Sequence, residues 1–78
     1  MTLDARLRGV LADTLGVDAG KLNDDDSPRT IPGWDSVNHI QLILALEAEY
    51  AVQFDPGEIA DLNSVQAIRR RLDRETAP

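Results

Sequence analysis

Asp35, Ser36 and His39 bring a carboxylate, a hydroxyl and an imidazole together within five residues, the side-chain types of a hydrolytic triad. Their spacing defeats that chemistry. On one helical turn the carboxylate lies beside the serine instead of behind the imidazole, so it cannot orient the base. One histidine, no cysteine and no Gly-rich phosphate loop leave no other catalytic constellation. A chain of 78 residues is also expected to have little room for a substrate pocket beside its core. His39 is expected on the helix surface or half-buried, without a catalytic role. The run Asp24-Asp25-Asp26 suggests calcium, but an EF-hand loop started there meets Pro28 at its fifth position. It also places Arg29 where glycine is required and Asp35 where a bidentate Glu belongs, so a solvated acidic loop is the expectation. The sequence describes a protein that is not an enzyme and holds no metal.

The elements that position these residues are helical. Thr2 is a candidate N-cap with Asp4 in the first turn, and Leu3, Leu7, Val10, Leu11, Thr14 and Leu15 recur at helical spacing. Gly16 then suits a left-handed stop with Val17 as its apolar contact, which predicts a helix over about residues 3–15. Residues 17–35 form a long connection rich in turn residues, expected either to be functional or to carry a short turn of its own, and to be tacked down by Leu22, Ile31 and Trp34. Asp35 caps a second helix running to about Tyr50. His39, Leu42, Ile43, Leu46 and Tyr50 make its core face, while Val37, Ile40 and Leu44 form a second stripe. That second stripe is either buried on another side or offered to a partner. Asp55-Pro56-Gly57-Glu58 opens a short helix to about Asp61, with Pro at its first position and Glu at its third. Asn63 or Ser64 caps the last helix, with Gln66 completing a capping box if Asn63 is the cap, and Val65, Ile68 and Leu72 face inward. Val52-Gln53-Phe54 is too short to argue for a strand. The expected architecture is all-α, a four-helix bundle of three main helices and a short third one, with Leu7, Leu11, Leu46, Ile59 and Ile68 in the core.

Length and charge narrow the function classes. Residues 1–78 make one domain. The longest uninterrupted apolar run, Leu42 to Leu46, is far short of the ~20 residues a membrane span requires. Asp4, Arg6 and Arg8 stand where a signal peptide needs an apolar stretch, so a soluble cytoplasmic monomer is the expectation. The net charge is −6, and residues 13–61 hold 11 acids against Lys21 and Arg29 alone. Such a surface repels nucleic acid and anionic membranes and attracts basic protein surfaces. Arg69, Arg70, Arg71 and Arg74 suit a helix C-terminus, where cations oppose the dipole. Asp35, Glu47 and Glu49 are expected to form an acidic side of helix two beside the Val37–Leu44 stripe, so Asp35, Val37, Ile40, Leu44 and Glu47 are candidate partner contacts.

Taken alone, Asp35-Ser36 before an apolar helix is a capping pair. Its surroundings say more. Gly33-Trp34-Asp35-Ser36-Val37, followed by Ile40, Leu42, Ile43, Leu44, Ala45, Leu46, Glu47 and Glu49, resembles the prosthetic-group site and second helix of acyl carrier proteins. The resemblance extends over nearly the whole chain, through Leu15-Gly16-Val17, the acidic loop, Asp55 to Ile59, and Ser64-Val65-Gln66-Ala67-Ile68. It implies that Ser36 carries 4′-phosphopantetheine through a phosphodiester, installed from coenzyme A and magnesium by a phosphopantetheinyl transferase. Acyl groups would then ride as thioesters, presented to an acyltransferase, a ketosynthase or other acyl-processing enzymes. Asp35 corresponds to a residue that the transferase recognises. Two physical points agree. A serine at the first helical position projects beside unpaired N–H groups that favour an added phosphate by ~0.3–1 kcal/mol, and a cysteine-free chain must import its thiol.

The departures concern the pathway. Fatty-acid carriers commonly have Leu after the serine, acids where Asn38 and Gln41 stand, and a smaller residue in place of Trp34. The Gly-Gly-His/Asp-Ser lead of peptidyl carriers is also absent. The resemblance therefore implies specialised or polyketide acyl chemistry, with fatty-acid synthesis still open. The competing class is an unmodified acidic helical adaptor that docks a partner through helix two.

Overall fold

The computed structural model describes residues 5–76, with side chains through residue 74. Four α-helices follow in order: α1 (Ala5–Leu15), α2 (Ser36–Tyr50), α3 (Pro56–Ile59) and α4 (Val65–Thr76), with a 3-10 turn at Ala19–Lys21. There is no strand among the described residues, and none of their helices is long and apolar enough to cross a membrane. The proposed Thr2 cap, Leu3 and Asp4 lie outside the described residues.

One apolar core joins all of these segments. Leu7, Leu11 and Leu15 from α1 meet Leu42, Ile43 and Leu46 from α2, with Val65, Ile68 and Leu72 from α4 closing the bundle. Val52 and Phe54 enter from the α2–α3 connection, and Leu22, Ile31 and Trp34 from the long loop, as their apolar character predicts. Ile59 departs from expectation: it is half-buried and packs against the core from its edge. That follows from the shortness of α3, which ends at Ile59 instead of Asp61 and so has a single turn to bury.

Helix ends obey local chemistry. Gly16 takes φ +69, and the amides of Gly16 and Val17 both return to the Ala12 carbonyl, stopping α1 in a left-handed turn. Ala51 stops α2 the same way at φ 54, without glycine's conformational freedom. Glu58 accepts the Asp55 N–H at 2.8 Å and thereby caps the start of α3. Ser64, not Asn63, caps α4, its hydroxyl oxygen accepting from the Ala67 N–H at 3.0 Å. Gln66 therefore has no capping-box role; its N–H donates to the Asp24 carbonyl and that of Val65 to the Asp26 carbonyl.

This last contact corrects the picture of a merely solvated acidic loop. The Arg69 guanidinium grips the Asp24 carboxylate with two hydrogen bonds, of 3.2 and 2.9 Å. Asp26 accepts from the Asn23 N–H and the Thr30 hydroxyl, both at 2.8 Å. Two of the three aspartates thus tie the loop to α4 and to itself. At its other end, Arg8 donates to the carbonyls of Ala19 and Leu22, fixing the 3-10 turn to α1.

Candidate functional site

The start of α2 is rigid for reasons that begin with Gly33. A Cβ there would stand 2.3 Å from the Leu15 carbonyl oxygen, so only glycine lets the loop cross the end of α1 this closely. The Asn38 amide donates back to the Gly33 carbonyl at 2.6 Å. Asp35, in extended backbone geometry, accepts the Asn38 N–H at 2.8 Å as the N-cap. Ser36 is thereby the first residue of the helix, exposed, with no hydrogen bond to its hydroxyl among the described residues.

Trp34 is buried beneath the site, and its indole N–H donates to His39 Nδ1 at 2.9 Å. His39 Nε2 lies 2.8 Å from the Ile59 carbonyl oxygen. The indole can only donate and the carbonyl can only accept, so these partners select the neutral tautomer with the proton on Nε2. With both ring nitrogens engaged, His39 has no free lone pair to serve Ser36 as a base. The half-buried placement expected for it holds, and its bridge between α2 and α3 was not anticipated.

Beside Ser36 lies an open cleft of about 330 Å3, lined by Pro28, Trp34, Asp35, Ser36, His39, Ala60 and Asn63. The expectation that so small a chain has little room for one is corrected: the cleft sits between the loop, α2 and the connection that follows α3, at the edge of the core where Trp34 forms part of its wall. No lysine or arginine is among these lining residues. An anion on Ser36 would rely on the first-turn backbone N–H groups, against the like charge of Asp35. A free hydroxyl, a helix N-terminus and an open channel for a chain together accommodate a phosphodiester-linked arm.

The second stripe of α2 faces solvent. Val37 is 70% exposed, Ile40 49% and Leu44 56%, and they are the exposed large hydrophobic residues of the described structure. Asp35 is exposed at the head of this stripe. The acids of the expected acidic side are differently employed. Glu47 is half-buried and accepts the Phe54 N–H at 2.9 Å, while Glu49 pairs with Arg6 at 2.8 Å. Glu47 thus holds the α2–α3 connection, and Glu49 joins α2 to α1. Asn38, noted in the sequence for the acid it replaces, is a clamp on the loop; an amide at the third helical position was the available clue.

These features belong to a known class of carrier domain. The family model described as a phosphopantetheine attachment site matches residues 5–72, and the chain belongs to that family. It is similar to an acyl carrier protein of Trieres chinensis, 25% identical over 73 residues that cover 94% of this chain and 91% of that protein. The chain has an acyl carrier role without catalytic activity of its own, and the family's prosthetic group is covalent 4′-phosphopantetheine. Acyl carrier proteins work with phosphopantetheinyl transferases and acyl-processing enzymes.

Proposed function

We propose that Ser36 is the attachment residue and that the Asp35–Val37–Ile40–Leu44 surface presents the loaded arm to partner enzymes. The observation that carries this is the exposed, unengaged Ser36 hydroxyl at the capped start of α2. Other hydroxyls are committed: Ser64 caps α4, Ser27 accepts from the Arg29 N–H, and Thr30 donates to Asp26. Thr14 is half-buried within α1.

In the transferase reaction Ser36 Oγ attacks the pyrophosphate of coenzyme A. The new O–P bond forms as the bridging P–O bond breaks, adenosine 3′,5′-bisphosphate leaves, and the serine proton is lost. The arm supplies a terminal thiol for thioesters. Asp35 holds the helix start in shape while its exposed carboxylate contributes to transferase recognition. Val37, Asn38, Gln41 and Trp34 favour a specialised acyl or polyketide pathway, such as the supply of starter or extender units, over housekeeping fatty-acid synthesis. The test is peptide-level fragmentation after incubation with a broad-specificity transferase, coenzyme A and magnesium. The modification should map to Ser36; a map to another hydroxyl would reject the site.

A further inference from the structure

The cleft beside Ser36 has a wall held by hydrogen bonds among three segments: Trp34 ending the loop, His39 in α2, and Ile59 as the last residue of α3. His39 is the crosspiece. Its ring also stacks on Trp34, with centroids 6.2 Å apart at 26°. Helix α3 has only four residues and buries none of them fully, so packing alone holds it weakly. Other contacts hold it: Glu58 accepts the Asp55 N–H at the start of the helix and binds Arg71 at 2.6 Å, and His39 holds the last residue.

Resting on the assignment of Ser36 above, we infer that His39 is a positioning residue that keeps α3 shut against α2, so that cargo attached at Ser36 lies in the surface cleft and does not pass between the helices. Behind the latch the core is closed: Leu11, Leu42, Leu46, Val65 and Ile68 are fully buried. On the outer side, beside Ser36, lies an open space of about 330 Å3, on the order of eleven water-sized volumes. Its lining is mixed. Asp35, Asn63 and the Ser36 hydroxyl stand beside Pro28, Trp34 and Ala60, and Asn63 is exposed with no side-chain partner among the described residues. An amide-bearing arm finds both polar and apolar contacts there, whereas a long alkyl chain leaves most of its surface in water. The cargo class this favours is short or polar acyl groups with an accessible thioester.

The experiment loads the wild type, H39Q and H39L with acetyl, butyryl, hexanoyl and octanoyl arms from the corresponding acyl-coenzyme A, with loading verified by intact mass. Hydroxylamine cleavage of each thioester is then timed. Glutamine carries an amide nitrogen to about the depth of Nε2 and can still donate to Ile59; leucine keeps bulk and loses both bonds. Wild type and H39Q should cleave at rates that agree within about twofold across the series. H39L should slow by at least about fivefold from acetyl to octanoyl, as longer chains spend about four-fifths of the time hidden. Rates in the wild type that already fall with chain length overturn the inference, and this comparison stands even if H39L does not fold. A folded H39L with flat rates overturns it equally. Absence of any mass gain instead rejects attachment itself, and the inference falls with it.

Discussion

The exposed position of Ser36 at the head of α2 is set by its neighbours. Asp35 accepts the amide of Asn38, the third residue of α2, the Asn38 side chain closes the loop onto Gly33, and Gly33 fits only because it lacks a Cβ. The Ser36 hydroxyl is left outward and unengaged. The sequence reveals the cap, since Asp before Ser and an apolar run is local chemistry. It conceals the clamp and the His39 bridge, because those depend on where the loop and α3 arrive in space. Asp35→Ala removes the cap acceptor and is expected to cost about 0.5–2 kcal/mol. Urea unfolding should show a lower midpoint with an unchanged slope. Arm transfer to the same variant should slow, reflecting the lost recognition carboxylate; unchanged stability and transfer would remove Asp35 from both roles.

The helices were legible where the pattern is periodic or the end is punctuated. Gly16, the Asp55-Pro56 start and, among the described residues, the core stripes of α1, α2 and α4 stand as their spacing predicts, with Val10 and Tyr50 half-buried at the core's edge. The loop's apolar anchors, Leu22, Ile31 and Trp34, were legible, but its polar tie to α4 was not. Arg69 and Asp24 are 45 positions apart, and no local rule links an acidic run to a distant guanidinium. Nor does the end of α2 carry a glycine signal, because alanine fills its left-handed position. That residue offers a prediction: a non-glycine in this region costs about 1–2 kcal/mol, partly offset by glycine's greater unfolded-state entropy. Ala51→Gly should therefore stabilise the protein by about 0.5–1 kcal/mol, raising the melting temperature by several degrees. A fall would show that the αL strain is absent.

Helix α3 carries an acid-sensitive restraint. The Asp55 N–H, followed by the Arg71 guanidinium, holds the Glu58 carboxyl below its ordinary value of 4.5. A carboxylate favoured in the folded state stabilises it above the unfolded value and loses that contribution as pH falls through the lower folded value. Stability should be independent of Glu58 ionisation above about pH 4.5 and decline below it. Glu58→Gln should blunt that acid limb in a series of denaturation midpoints. A wild-type limb of the same steepness as the variant's would contradict the coupling.

At the scale of the whole molecule, an acidic body of net charge −6 exposes one apolar stripe beside the proposed attachment residue. Composition and periodicity made both properties readable, but left open whether the stripe was buried; only the packed bundle decides that. Basic partner surfaces should dock there, so turnover by a cognate acyl-processing enzyme should fall with added salt. Leu44→Ser should raise that enzyme's KM several-fold while leaving the fold intact, since Leu44 is largely exposed. Glu47→Lys should lower stability as well, because Glu47 holds the Phe54 amide. A turnover insensitive to salt and to Leu44→Ser would move the docking surface elsewhere. The central claim, that this carrier is loaded at Ser36, is tested most directly by intact mass. Wild type and Ser36→Ala are treated side by side with a broad-specificity transferase, coenzyme A and magnesium, and circular dichroism verifies that the variant is folded. The wild type should gain the mass of one phosphopantetheinyl group and the variant none. A gain in folded Ser36→Ala, or no gain in the wild type, would contradict the account.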